Sequence, residues 1–146
     1  MPTFQNASEL LEAVRERLDG WVAAAREQAY ADCFEGPDAL LTDEEVVLLD
    51  RIDSRLGRER GEGLWGADEY RIVPAGTLEE ESAPRVVCTY HPRVPEYVNR
   101  SVAPLDEATR ERLDDALWEY AQRVVELTQA DVEAFVWSSE VATRAE

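Results

Sequence analysis

Between Ser8 and about Cys33 the apolar residues Leu11, Val14, Leu18, Trp21 and Ala25 return at alternating steps of three and four. That spacing is the period of one helix face, so a long amphipathic helix is expected here. Asn6 or Ser8 caps its start, with Glu9 at capping-box distance from Asn6, and Gly36-Pro37-Asp38 closes it. Gly20 costs about 1 kcal/mol relative to alanine inside such a helix and marks an expected bend. Thr42-Asp43-Glu44-Glu45 is a second capping box, with acids in the first turn where the helix dipole favours them. The helix it opens runs through Val46, Leu49, Ile52 and Leu56 to near Gly57. Val47 and Leu48 lie off that face, which predicts cover on more than one side. A third run, capped by Asp106, repeats the seam at Leu113, Leu117, Tyr120, Val124 and Leu127. The two long helices are expected to pack side by side, with Trp21 and Trp118 as the largest contributors of buried area. Thr128 marks an expected bend or restart before Phe135-Val136-Trp137.

Residues 61–104 break this rhythm, gathering five of the chain's seven prolines and trading helix formers for β formers. Glu69–Val73 and Arg85–Tyr90 read as two short strands, and the acidic stretch from Gly76 to Ser82 reads as the loop of a hairpin. The predicted fold class is therefore α+β: two long helices packed side by side, a third shorter helix and a small antiparallel β-hairpin. No internal repeat or dividing linker stands out, so residues 1–146 are expected to form a single domain, frayed at 1–6 and 139–146.

Charge changes the picture more than length does. The chain has 32 Asp and Glu against 15 cations, a net charge of −17, and every cation is an arginine. In dilute buffer such a charge costs stability through self-repulsion. At molar salt the Debye length falls to about 3 Å, which screens the repulsion while the carboxylates still hold water. Four tryptophans and the long apolar periodicities oppose the other reading of this acidity, a disordered acidic chain. No run approaches the ~18 apolar residues of a membrane span, and the start Met1-Pro2-Thr3-Phe4-Gln5-Asn6 has neither a basic nor an apolar signal region. A cytoplasmic protein without a membrane partner is expected, its two cysteines, Cys33 and Cys88, free thiols.

The motifs that carry chemistry are sparse. Gly61-Glu62-Gly63-Leu64-Trp65-Gly66 fits the dinucleotide-binding letters, but it leaves a helix and enters a strand, the reverse of the context that aims helix amides at a pyrophosphate. An ordinary glycine turn anchored by Trp65 explains it better. Cys88-Thr89-Tyr90-His91 has the spacing of a zinc half-site, with Cys33 as a third soft ligand. Strand alternation sends Cys88 and His91 to opposite faces unless the chain turns, so a buried Cys88 and a loop His91 are preferred, with no metal and no cofactor. One histidine and no serine elbow give little from which to build acid-base or nucleophilic catalysis, so the chain is expected not to be an enzyme. Leu41-Thr42-Asp43-Glu44-Glu45-Val46-Val47-Leu48-Leu49 has the form of a helix opening in helix-turn-helix regulators, and a hairpin downstream suits a wing. A winged-helix-like DNA-binding protein is thus the alternative, disfavoured because no basic face is offered to a polyanion. A small zinc-binding protein is the second alternative.

Against this acidic background one stretch stands apart. Ala83–Leu105 carries Arg85, Arg93 and Arg100 against Glu96, a net +2 within a total of −17, so everything else carries −19. Its Tyr90, His91, Arg93, Tyr97 and Arg100 have the composition of a binding hot spot. A crossing of the core, with its arginines paired to helix carboxylates, is the competing account. The leading expectation is a non-enzymatic binding domain using Tyr90–Arg100, its partner an unidentified protein or a small anion rather than nucleic acid. Leu64-Trp65-Gly66, Cys88-Thr89-Tyr90-His91-Pro92 and Leu117-Trp118-Glu119-Tyr120 resemble motifs of small haloarchaeal proteins grouped in domain-of-unknown-function families. That resemblance implies no activity, so it transfers no functional residues. Partner identity and oligomeric state are not readable from these residues.

Overall fold

Side-chain caps set the helix boundaries. In the computed structural model, which describes residues 3–61, 63–65, 68–74, 83–94 and 106–141, Asn6 opens helix α1 (Ala7–Phe34) by accepting the Glu9 N–H at 2.9 Å. The Glu9 carboxylate in turn accepts the Gln5 N–H at 2.7 Å. Helix α2 (Asp43–Arg60) opens on a reciprocal box: Thr42 Oγ1 accepts the Glu45 N–H at 3.2 Å and the Glu45 carboxylate accepts the Thr42 N–H at 3.0 Å. It runs past Gly57, where it was expected to stop, and ends at Gly61, whose left-handed φ of 79° suits a residue without Cβ. Helix α3 (Glu107–Trp137) opens on Asp106, which accepts the Thr109 N–H at 2.7 Å.

The expected α+β arrangement is what these elements form. α1 and α3, of 28 and 31 residues, pack along each other, and α2, of 18 residues, is the shorter third helix. The seam joins Val14, Leu18, Val22, Ala25 and Ala29 to Leu113, Leu117, Tyr120 and Val124, all buried. Trp118 is a correction: it is 46 % exposed, because it sits about 100° around the helix from seam residue Leu117. α2 buries Leu49, Ile52 and Leu56 on one face, and Val47, expected to be covered, is exposed. α1 and α3 each run unbroken through Gly20 and Thr128, so no new helix starts at Thr128.

Strands β2 (Glu69–Val73) and β3 (Arg85–Tyr90) pair antiparallel, with Ile72 opposite Val86, both buried. Gln129 of α3 docks the hairpin: its Oε1 accepts the Val86 N–H at 2.7 Å and its Nε2 donates to the Pro84 carbonyl at 2.9 Å. Pairing skips a residue at the far end, from Tyr70–Cys88 to Glu69–Tyr90, so Thr89 is a β-bulge. The expected loop from Gly76 to Ser82 falls outside the described residues, except that the pairing it would connect is present. Near the two ends of the described chain, β1 (Thr3–Phe4) pairs in parallel with β4 (Glu140–Val141), and Phe4 packs edge-on to Phe135 at 6.1 Å.

The glycine turn after α2 is held from both sides. A Cβ at Gly63 would lie 2.1 Å from Asp53 Oδ1 and 2.8 Å from the Asp53 carbonyl oxygen, so only glycine fits. The Trp65 N–H donates to the same Asp53 Oδ1 at 3.2 Å. The Trp65 ring then joins Tyr30, Phe34 and Tyr120 in an aromatic cluster with centroids 5.2–5.9 Å apart.

Candidate functional site

The strip after β3 alternates between anchor and display. Pro92 and Val94 are buried, while Tyr90 is 52 % exposed, Arg93 is exposed and His91 is half-buried. The Val94 N–H donates to Asp114 Oδ1 of α3 at 2.9 Å, which pins the strip to the helix. The strip thus buries Pro92 and Val94 and leaves Tyr90 and Arg93 exposed, and the partner of Arg93 is His91 rather than a helix carboxylate. Arg93 Nε donates to His91 Nε2 at 3.4 Å, which makes Nε2 the acceptor nitrogen of the imidazole. Burial and the neighbouring Arg93 charge lower the His91 pKa, against the opposing pull of Asp114. Trp118 lies one turn beyond Asp114 on the same helix and adds a second exposed aromatic to this side of α3. Of the predicted binding residues, Tyr97 and Arg100 lie outside the described residues.

The soft-ligand candidates do not assemble. Cys33 is buried near the end of α1, and Cys88 on β3 donates its thiol hydrogen to the Tyr90 carbonyl at 3.1 Å. Cys33, Cys88 and His91 form no common group, and among the described residues no three His, Cys, Asp or Glu side chains do. Burial is the largest cause that raises the pKa of both thiols. Neither is poised as a thiolate nucleophile.

A second polar constellation was not anticipated. Asp68, just before β2, has no exposed side-chain surface and receives a two-pronged hydrogen bond from Arg26 of α1, through Nη2 and through Nε at 3.4 Å. Burial opposes the charge on Arg26, but the Asp68 hydrogen bond and charge outweigh it and raise the guanidinium pKa. The Arg26 guanidinium lies 5.8 Å from the Tyr70 ring centroid. The Tyr70 hydroxyl is buried, and among the described residues none meets hydrogen-bond geometry with it. Burial and the nearby Asp68 charge push its pKa far up. Desolvating a carboxylate and a guanidinium costs several kcal/mol per ion before their attraction offsets it, so this pair is weak as a device for stability alone.

Around the pair lies an open cleft of about 660 Å³ lined by Asp19, Val22 and Arg26 of α1, by Asp68–Arg71, and by Thr89. The bulge aims the Thr89 hydroxyl at the Glu69 carbonyl and carboxylate, 3.3 and 3.4 Å away. Sequence reasoning passed over these residues because Asp68 is one of 32 acids and its partner is 42 positions away. The usable signal was the arginine at position 26 inside a helix whose neighbours on that side are apolar.

No helix among the described residues is long and apolar enough to cross a membrane. No curated protein and no solved structure is similar enough to match the chain. One family pattern does match, described as a family of unknown function, and it spans residues 4–139, taking in both the Tyr90–Val94 strip and the Arg26–Asp68 cleft. The chain belongs to that family of unknown function, DUF7539.

Proposed function

We propose that this chain is a non-enzymatic binding domain of a cytoplasm with high salt, and that the strip from Tyr90 onward is its contact surface for a protein partner. The observation that carries the reading is the alternation just described: Pro92 and Val94 are buried, with the Val94 amide tied to Asp114, while Tyr90 and Arg93 are exposed. A side chain displayed from an anchored backbone loses little entropy on binding, and tyrosine, tryptophan and arginine are the residues that dominate interface energetics. The reading as a non-enzyme is supported by a single histidine tied to Arg93 and by thiols whose pKa is raised. A winged-helix role has less support, since α2 begins with Asp43, Glu44 and Glu45 and Arg55 is paired with Glu59 at 2.5 Å.

The test is capture from a high-salt lysate by the wild-type chain and by the double variant Tyr90→Ala, Arg93→Ala, with circular dichroism as the control for folding. Both side chains are exposed, so helix content should be unchanged while specific partners are lost. Equal capture by both proteins removes the proposal. If phosphate alone shifts the Tyr90 and Arg93 amide resonances saturably and no protein is captured, the site is for a small anion instead.

A further inference from the structure

The cleft between α1 and the bulged end of the hairpin lies apart from the Tyr90–Arg93 strip, and the proposed function leaves it unused. We infer that it is a binding site for a small zwitterion that carries a carboxylate and an ammonium group, in the size class of a free amino acid.

Five observations converge there. The volume of about 660 Å³ lies within the range of small-molecule sites. A fully buried carboxylate, Asp68, fixes the Arg26 side chain, while that side chain remains 33 % exposed. A guanidinium oriented from behind by a buried acid is a pre-organised receptor for a second carboxylate. Arg71 is an exposed lining residue that makes no salt bridge among the described residues, which leaves a second guanidinium to bind an anion. Asp19, one α1 turn before the lining residue Val22, is likewise without a salt bridge there and supplies a carboxylate for an ammonium. Glu69 adds a second acid at the rim, positioned by the Thr89 hydroxyl at the bulge.

The pattern of signs selects the ligand class. A simple anion would meet the guanidinia but also the carboxylates of Asp19 and Glu69, and a simple cation would meet the reverse. A molecule with both charges a few ångströms apart satisfies each end. Val22 and the Tyr70 ring supply apolar wall between the charged groups, which suits an aliphatic side chain better than a second charge.

The experiment uses the full chain, ¹⁵N-labelled, in the salt that keeps it folded. The twenty L-amino acids are titrated singly, with sodium acetate and methylammonium chloride as one-ended controls. The expected result is saturable movement of the Tyr70, Arg71 and Thr89 amide resonances with at least one amino acid. Acetate and methylammonium should bind at least about tenfold more weakly, since each lacks one charge-assisted contact. Arg71→Gln and Asp19→Asn, both at exposed positions, should each weaken binding about tenfold while leaving the thermal midpoint unchanged. No saturable shift with any amino acid overturns the inference. So does binding of acetate as tight as that of the best amino acid, or binding unchanged in both variants. Loss of partner capture by the Tyr90, Arg93 variant has no bearing on this titration, so the two proposals fail separately.

Discussion

At the scale of single residues, Arg26 and Tyr70 stand differently to the same buried carboxylate: Arg26 binds it and the Tyr70 hydroxyl does not meet hydrogen-bond geometry with it. Removing Arg26 leaves Asp68 desolvated and uncompensated, so Arg26→Ala should cost about 3 kcal/mol in chemical denaturation. Tyr70→Phe removes a hydroxyl that has no hydrogen-bond partner among the described residues, and should be neutral or stabilising by up to about 1 kcal/mol. If Tyr70→Phe costs as much as Arg26→Ala, the hydroxyl does hold a hydrogen bond to Asp68 and the account of the cleft wall is wrong. Little of this could be read from residues alone. Periodicity reports which side of a helix is apolar; it says nothing about which one of many acids an arginine 42 positions away will meet. The Tyr90–Arg93 strip was easier to see, because it departs in charge from everything around it, but its division into buried and displayed residues needed the contact with Asp114.

At the scale of elements, the local rules carried most of the weight. The strands Glu69–Val73 and Arg85–Tyr90 and the three helix starts follow from alternation and from caps whose chemistry acts within three residues. The Thr42 box is complete in both directions. Thr42→Ala should therefore lower stability by about 1 kcal/mol, and faster amide exchange should be confined to the first turn of α2. A loss spread evenly over the molecule would mean that the cap matters through packing instead. What the local rules missed was long-range. Trp118 was assigned to the seam by size and hydrophobicity, although a one-residue step along a helix turns it toward solvent. The pairing of Thr3–Phe4 with Glu140–Val141 joins segments with weak strand signals of their own, and only the meeting of α1 and α3 brings them together.

At the scale of the whole molecule, charge and solvent belong together. A net −17 is tolerable when the Debye length is near 3 Å and not when it is near 10 Å. Circular dichroism should accordingly show helix being lost as potassium chloride is lowered from molar to about 0.1 M. Helix content independent of salt would separate the acidity from stability. Within the fold, several arginines already neutralise acids across elements: Arg112 pairs with Glu45 at 2.9 Å and Arg123 with Asp32 at 3.0 Å. These pairs are exposed enough that salt weakens them too, so hydrophobic burial must dominate at high salt, where excluded ions strengthen it.

The parallel ladder between β1 and β4 also determines how the molecule would bear force. The two strands run in the same direction, and one lies near each end of the described chain. Tension applied through the two ends would pull β1 by its tail and β4 by its head, sliding one along the other. Every hydrogen bond of the ladder would then be loaded at once, where a hairpin pulled at its open end yields one bond at a time. The short ladder thus acts as a latch across the ends, and the packed helices behind it feel tension only after it has slipped.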